Sequence, residues 1–433
     1  MNLTQLTQNF KRTLSQHASM KDEAKTESVR RVDTASESTM SSENDVKTPP
    51  IDSIRSKVSL TRDAARAISI TALETIREGA KFMGVVGNRG NLESPFGHID
   101  ASIWKEGELP ARMIEASYDY CEELTRIEAA NFYHSFKYLP SEVRRSICAY
   151  YAFCRRADDI ADGDYTDLFP GGSEDSFESV DYRSEIERIM GEPVLERGAY
   201  DQKMSQLFYY RKKLSTAYTT VTSTDPIFIA LKDTVEKFRI PRSLLDDMIS
   251  GMEDDLHRNR FQTFEDLYEY CYKVASTVGL VCIEIYGYDS PEAKDEAEAW
   301  GVYMQLINIL RDVLEDSKRG RIYLPLDDLI RYGITEKDVL AGESLGDHPG
   351  WEPFCKNYTR RAKNYGRSAK SWLGRWDKQM RYSPAAMMAF YDSILRKIAK
   401  NEGDVFTERV QLSKPEKIGL AAWVYFRYRF LPV

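Results

Sequence analysis

The chain has 433 residues, of which 42% are hydrophobic and 30% are charged, and its formal net charge is −8. This composition excludes a largely disordered chain and is typical of a globular protein with a sizeable core. The mild acidity argues against non-specific nucleic-acid binding, which requires a basic face, so we expect no nucleic acid among the partners.

The sequence gives no sign of a membrane span or of secretion. No apolar run reaches the roughly 20 residues that a membrane-spanning helix needs. The six cysteines form no C-x-x-C pair, and no secretory signal peptide is recognisable, so we expect reduced thiols in an intracellular protein. A cytoplasmic location and a peripheral membrane location both stay open.

Composition divides the chain into three segments. Residues 1–55 are rich in Ser, Thr, Asp, Glu and Lys and have few apolar residues to bury, so they are predicted to form a disordered polar tail. Apolar residues at helical spacing near the start leave an interfacial helix or an organelle-targeting signal open. Residues 56–110 are predicted to be a partly helical extension, and residues 111–433 are predicted to form the main domain.

From residue 111 onward, apolar residues recur with the 3.6-residue period of amphipathic helices, and the alternation typical of strands is nearly absent. The predicted helices span residues 112–126, 141–161, 203–218, 243–252, 264–286, 291–316, 351–373 and 384–401. Residues 418–430 are predicted to form a core-packed helix, with a membrane-surface helix as the alternative. The acidic stretch 163–183 is predicted to be a surface loop. The fold class is therefore all-α.

A first acidic motif lies in the helix predicted for residues 141–161 and just beyond its end. Tyr151, Arg155, Asp158 and Asp162 fall within an arc of roughly 60° on a helix. The flank of this stripe is mostly apolar, and carboxylates beside a core are costly unless a cation pairs with them. The spacing therefore predicts two carboxylates that share a cation.

A second acidic motif lies near the end of the helix predicted for residues 291–316. Asn308, Asp312 and Asp316 are spaced i, i+4, i+8, and Gln305 and Glu315 lie near the same face. Hard oxygen ligands are typical of Mg²⁺, with Mn²⁺ as a substitute, and no set of His and Cys suggests zinc. Two such faces in a helical chain predict a site where Mg²⁺ holds a diphosphate and an apolar cavity shields a carbocation from water.

These motifs resemble the squalene/phytoene synthase family of head-to-head prenyl synthases, over roughly residues 112–420. The matching blocks are YAFCRRADDIAD (151–162), GMEDDL (251–256), YCYKVASTVGL (270–280) and NILRDVLEDSKRGRIYLP (308–325). The stretch DVFTERVQLSKPEKIGL (404–420) resembles the carboxy-terminal segment of bacterial members. The first 110 residues match no part of the family.

The resemblance implies an isoprenoid-synthase helical bundle around a central cavity and assigns a role to each matching residue. It implies that Mg²⁺ is bound by Asp158 and Asp162 on one wall and by Asn308, Asp312 and Asp316 on the other. Diphosphate would be contacted by Arg155 and Arg321 and hydrogen-bonded by Tyr323. The residues lining the cavity near the reacting carbons would be Phe132, Tyr151, Tyr270 and Gln305.

The implied reaction joins two prenyl diphosphates through a cyclopropylcarbinyl diphosphate. We favour two geranylgeranyl diphosphates giving phytoene, a step of carotenoid biosynthesis. The alternative is two farnesyl diphosphates giving presqualene diphosphate, squalene or hydroxysqualene, with NADPH needed only for squalene. A non-catalytic assembly factor derived from the family is an alternative of another class, although both acidic motifs are intact. No obligate protein partner is evident, and peripheral membrane association stays open.

Five further residues are predicted to be structural or left open. Asp327 and Asp328 follow Pro325 and are predicted to start a helix. The isolated His134 and His257 are predicted to be surface or packing residues. Gly279 permits either a helix break or a close approach between helices.

Overall fold

The structure is a computed structural model that describes residues 111–129, 133, 135–136, 138–163, 195, 197–220, 223–370 and 380–430. The predicted tail, the predicted extension, Phe132, His134 and nearly all of the predicted loop 163–183 lie outside the described residues. The predictions about them stay predictions.

About 79% of the described residues are helical and none forms a strand, which confirms the predicted all-α fold class. A single bridge between Arg260 and Ile322 is the only strand-type pairing among them. In chain order the α-helices are α1 (Ala111–Glu128), α2 (Ser141–Asp162), α3 (Arg197–Leu214), α4 (Pro226–Phe238), α5 (Arg242–His257), α6 (Phe264–Cys271), α7 (Thr277–Tyr286), α8 (Ala293–Arg311), α9 (Val313–Lys318), α10 (Leu326–Arg331), α11 (Glu336–Leu340), α12 (Trp351–Lys370), α13 (Tyr382–Lys400) and α14 (Lys414–Phe430).

Two apolar clusters form the core. The first joins α1 to α5 and α7 with the first residues of α8 and α13 and with α14, and the second joins α6, the rest of α8, α9 to α12 and the rest of α13. The side chains of Val274 and Trp300 pack against both clusters. The first acidic motif is therefore carried by a helix of one cluster, and the second by helices of the other.

Helix α2 ends immediately after the first acidic motif. Gly163 follows it with φ 87°, a left-handed conformation that favours glycine, and its N–H bonds the carbonyls of Asp159 and Ile160. Asp158 and Asp162 therefore lie in the last turns of α2, where the helix dipole adds negative potential and favours a cation.

The helix predicted for residues 291–316 is interrupted at Asp312, which separates α8 from α9 with φ −103°. The i→i−4 bonds continue through the interruption, because Asp312 N–H donates to Asn308 O and Asp316 N–H donates to Asp312 O, both at 2.9 Å. Although the prediction of one continuous helix is wrong, Asn308, Asp312 and Asp316 keep their helical spacing.

The helix predicted for residues 264–286 is also interrupted, by a π-helical segment, Tyr272–Ser276, between α6 and α7. This region packs very closely on α8. A Cβ on Gly279 would lie 2.6 Å from Ala297 O, and one on Gly301 would lie 2.3 Å from Ser276 Cα. Gly279 therefore serves a close approach between helices. Such π-segments are frequent near functional sites.

The structure tests three of the remaining structural predictions. Helix α10 begins after Pro325, and Asp328 accepts a hydrogen bond from Arg331 at 3.0 Å and also pairs with Arg361, so a structural role is confirmed. His257 is buried and shares a 2.9 Å hydrogen bond with the Tyr200 hydroxyl, which confirms a packing role. Helix α14 buries Val424 but leaves Trp423 59% exposed, so it is core-packed on one side only.

Candidate active site

The first acidic motif carries more negative charge than its arginine neutralises. Arg155 donates from Nη1 to Asp158 Oδ2 at 3.2 Å and from Nη2 to Asp159 Oδ1 at 2.5 Å. Burial and repulsion from Asp162 nevertheless raise the pKa of Asp158 to about 6, against the opposing effect of Arg155. The Asp158 side chain is 48% exposed, so it faces an open space and not the core.

The second acidic motif pairs one carboxylate with arginines and leaves another, Asp316, with a raised pKa. Asp312 accepts hydrogen bonds from Arg311 Nε at 2.8 Å and from Arg409 Nε at 2.9 Å. Burial and repulsion from Asp312 raise the pKa of Asp316 to about 7, although Arg321 opposes this. Asn308 lies on the same face and donates from Nδ2 to Gln305 Oε1 at 3.3 Å.

The segment that follows α9 connects the two motifs. Arg319 Nη1 lies 4.0 Å from Asp162 Oδ1, and Gly320, with φ 72°, turns the chain so that Arg321 N–H bonds Asp316 O at 2.9 Å. The charge of Arg321 acts on both Asp158 and Asp316. The two predicted carboxylate faces therefore meet around one arginine.

Arg321 is held in its charged form by this surrounding. Burial alone would lower the pKa of its guanidinium, but nearby negative charge outweighs burial and raises it. Asp255 and Asp162 supply this negative charge, whereas the neighbouring phenols of Tyr323 and Tyr270 would add to it only on ionising. A permanently charged guanidinium between carboxylate pairs is suited to binding a diphosphate.

Two tyrosines of the predicted site share a carboxylate that the sequence analysis did not single out. Tyr323 donates its hydroxyl proton to Asp255 Oδ1 at 2.9 Å, and Tyr270 donates to Asp255 Oδ2 at 3.1 Å. Backbone pairing brings Tyr323 to this place, because Ile322 N–H bonds Asn259 O and Leu326 N–H bonds Phe261 O. Asp255 lies in the GMEDDL block, which was the available signal.

The donor set fits a hard divalent cation. No three Asp, Glu, His or Cys side chains in the described parts of the chain are grouped closely enough to hold a metal by themselves. However, each motif supplies a pair of carboxylates whose mutual repulsion raises a pKa, as at Asp158 and Asp316, so uncompensated negative charge remains. Carboxylate and amide oxygens are ligands that Mg²⁺ accepts while retaining water or phosphate oxygens.

The structure brings most of the predicted site residues into one region. Arg155, Asp158 and Asp162 lie on α2 with the partly buried Tyr151, and Gln305 and Asn308 lie on α8. Asp255 and Arg409 were missed. Arg409 lies in the 404–420 block, but only the folded chain shows that its side chain reaches Asp312 and lies 3.4 Å from Glu315.

Comparisons with known proteins identify the family of the chain. A sequence model described as squalene/phytoene synthase matches residues 125–416. The chain is 32% identical to a phytoene synthase of Arthrospira platensis over 330 residues, which covers 73% of this chain and 94% of that protein. It is 33% identical to phytoene synthase 2, chloroplastic, of Zea mays, covering 73% of this chain and 71% of the relative.

Solved structures share the fold. A dehydrosqualene synthase crystal structure superposes with a TM-score of 0.57 at 24% identity, covering 73% of this chain and 98% of the other. A squalene synthase from Alicyclobacillus acidocaldarius gives a TM-score of 0.55 at 23% identity, covering 68% and 97%. Within the described residues, no helix is both long enough and apolar enough to cross a membrane.

Proposed function

The chain belongs to the squalene/phytoene synthase family and is a prenyltransferase, and we propose that it joins two geranylgeranyl diphosphates head to head to form phytoene. The observation that carries the proposal is the similarity to phytoene synthases over most of their length, combined with two intact carboxylate motifs around Arg321. The intact motifs also argue against a non-catalytic assembly factor.

The metal ligands would be the oxygen donors of the two motifs, Asp158, Asp162, Asn308, Asp312 and Asp316. When bound, Mg²⁺ or Mn²⁺ would neutralise charge that develops on a departing diphosphate. Arg321 and Arg155 would bind diphosphate oxygens directly, since guanidinium groups match phosphate geometry. Arg409 would add positive charge beside the second motif through its contact with Asp312.

The proposed reaction has two ionisations. The first prenyl diphosphate loses its diphosphate, and the C2–C3 double bond of the second attacks the C1 cation, with loss of a proton, to give a cyclopropylcarbinyl diphosphate. Loss of the second diphosphate, rearrangement to a C1–C1′ bond and loss of another proton give phytoene. Aromatic rings beside the site, those of Phe261, Tyr270 and Tyr323, would stabilise the cations and exclude water.

The second candidate function uses two farnesyl diphosphates and gives presqualene diphosphate, squalene or hydroxysqualene, with NADPH required for squalene. The observation that favours it is the 404–420 segment, which resembles bacterial members and contributes Arg409 to the site. Prenyl diphosphates are the substrates in both cases. A peripheral membrane location remains part of the proposal, and plastid-type targeting stays open because relatives include chloroplastic forms.

One experiment separates these functions. The purified protein is incubated with Mg²⁺ and either geranylgeranyl or farnesyl diphosphate, with and without NADPH, and the product is identified by mass spectrometry. We expect phytoene from geranylgeranyl diphosphate and no effect of NADPH. A C30 product formed faster from farnesyl diphosphate would replace the proposal by its alternative, and no product from either substrate would contradict both.

A further inference from the structure

Asp255, near the end of α5, closes a small network with two tyrosines that come from elsewhere in the chain. Its two carboxylate oxygens accept separate hydrogen bonds, from Tyr323 at 2.9 Å and from Tyr270 at 3.1 Å. The two phenol rings are stacked with centroids 5.2 Å apart, and Phe261 stacks on Tyr323 at 5.6 Å. Tyr270 is 4% exposed and Tyr323 is 8% exposed, so packing fixes both rings.

The direction of these hydrogen bonds follows from proton accounting. A phenol has one proton to donate, and an ionised carboxylate can only accept. While both bonds are in place, neither Tyr270 nor Tyr323 has a proton for any other acceptor. The hydrogen bond from Tyr323 to diphosphate that the family resemblance implies would therefore require this bond to Asp255 to break.

The charges of the network support this direction. Burial raises the pKa of Asp255 to about 6, while Arg321 and the two tyrosine hydroxyls oppose the rise, so the carboxylate is ionised at pH 8. Burial and the Asp255 charge both raise the pKa of Tyr270 and of Tyr323, so both phenols keep their protons. Two neutral phenols therefore donate to one anion, which makes each bond charge-assisted.

The neighbouring acids are used differently. Asp254 accepts a hydrogen bond from Lys273 at 2.6 Å, and Glu253 accepts one from Arg211 at 2.9 Å. Those carboxylates are neutralised by cations that belong to the scaffold. Asp255 instead accepts hydrogen bonds from two phenols. The cation that acts on its charge is Arg321, which lies between the two acidic motifs.

We propose that Asp255 is a positioning residue that accepts the hydroxyl hydrogen bonds of Tyr270 and Tyr323. The two phenols then present only oxygen lone pairs and electron-rich ring faces to the reacting carbocation. Donation to an anion increases the electron density of a phenol, and a more negative ring face stabilises a cation more strongly. This inference rests on the proposed function in one respect, namely that a carbocation forms beside these rings.

The test compares Asp255→Asn with Asp254→Asn, a matched change one residue away. The two phenols bond different carboxylate oxygens, and in Asp255→Asn an NH₂ group, which can only donate, replaces one of those oxygens, so one phenol must turn its proton away. We expect kcat to fall about 100-fold, with KM changed less than about threefold, because the lost interaction is made in the transition state. Asp254→Asn breaks a buried ion pair and should lower stability while leaving kcat within about threefold.

A second readout does not depend on catalysis. The protein is labelled with 3-fluorotyrosine, and the ¹⁹F signals of Tyr270 and Tyr323 are assigned with single Tyr→Phe variants. In Asp255→Asn both signals should move and both phenol pKa values should fall, since a nearby negative charge is removed. Asp254→Asn should leave both signals in place.

A double-mutant cycle completes the test. In a Tyr270→Phe/Tyr323→Phe background, Asp255→Asn should lower kcat less than about threefold further, because Asp255 acts through the two hydroxyls. Unmoved ¹⁹F signals, additive losses of kcat, or equal kcat for Asp255→Asn and Asp254→Asn would each overturn the inference. If Asp255→Asn does not fold, a wild-type kcat in the Tyr270→Phe/Tyr323→Phe variant overturns the inference instead.

A C30 product from the wild type would refute only the proposed substrate, since every comparison can be repeated with farnesyl diphosphate.

Discussion

Replacing Asp158 or Asp312 by Asn is predicted to lower turnover strongly in both cases and to change the free energy of unfolding in opposite directions. Asparagine keeps the size of the side chain and removes the charge that would hold the metal. The metal mainly stabilises charge on the leaving diphosphate, so we expect turnover to fall at least ~100-fold for either variant. The difference between the two lies in their arginines.

At Asp158 the carboxylate destabilises the metal-free fold. Its pKa is raised from 3.8 to about 6, so above pH 6 the folded protein carries a charge that costs more there than in the unfolded chain. Two pKa units correspond to about 3 kcal/mol. Because the side chain is 48% exposed, screening reduces this to about 1 kcal/mol. Asp158→Asn should therefore raise the free energy of unfolding at pH 8 by about 1 kcal/mol.

At Asp312 the carboxylate stabilises the metal-free fold. It accepts hydrogen bonds from Arg311 and Arg409 at 2.8 and 2.9 Å, and its side chain is 20% exposed. Removing the charge leaves two guanidinium groups without their shared acceptor. Asp312→Asn should lower the free energy of unfolding by about 1–3 kcal/mol.

Urea unfolding at pH 8 in EDTA and turnover in Mg²⁺ measure the two effects separately. Asp119→Asn is the control, because its carboxylate on α1 pairs with Arg145 at 2.9 Å on the surface. It should change unfolding by less than about 1 kcal/mol and leave turnover unchanged. Near-normal turnover in Asp158→Asn or Asp312→Asn would refute the metal assignment. Equal losses of stability in both would refute the charge balance described for the two motifs.

Three further predictions concern the metal, the helix packing and the tail. Product formation should cease in excess EDTA and return with Mg²⁺, and Mg²⁺ with inorganic diphosphate should raise the melting temperature, since ligands that bind only the folded state stabilise it. Gly301→Ala should destabilise the fold by about 1–3 kcal/mol or more, because its Cβ would lie 2.3 Å from Ser276 Cα. A Cβ on Gly419 in α14 would have no other atom within 4 Å, so Gly419→Ala should raise the free energy of unfolding by up to ~1 kcal/mol in the same urea assay. Deleting residues 1–55 should leave kcat and cooperative unfolding intact, and loss of either would show that the tail packs on the domain.

Amphipathic helices were predicted well where the sequence has both an apolar stripe at helical spacing and a Pro or Gly at the helix ends. The helix predicted for residues 141–161 is Ser141–Asp162 in the structure, since Pro140 precedes it and Gly163 ends it. Helix α4, Pro226–Phe238, was missed. Its buried residues lie opposite a polar face formed by Lys232, Asp233, Glu236 and Lys237, so the helical period was present in the sequence.

The interruptions of helices could not be read from local sequence. The π-segment Tyr272–Ser276 and the break at Asp312 lie within continuous helical periodicity. At the π-segment the tertiary packing is unusually tight, because α8 approaches so closely that Gly301 admits no Cβ beside Ser276. A glycine alone indicates conformational freedom, and only the packed neighbour shows that close approach is its use.

In the candidate site, the residues that share a helix face could be predicted from their spacing, but their hydrogen-bond partners from elsewhere in the chain could not. Residues one helical turn apart must share a face, so the faces containing Asp158 and Asp312 could be predicted from spacing alone. The partners of Asp255 lie 15 and 68 residues away in the chain, and no periodicity connects them. Even a correct list of site residues would leave the direction of each hydrogen bond undetermined. The carboxylate of Asp255 fixes that direction, because an ionised carboxylate can only accept hydrogen bonds and both tyrosines must therefore donate to it.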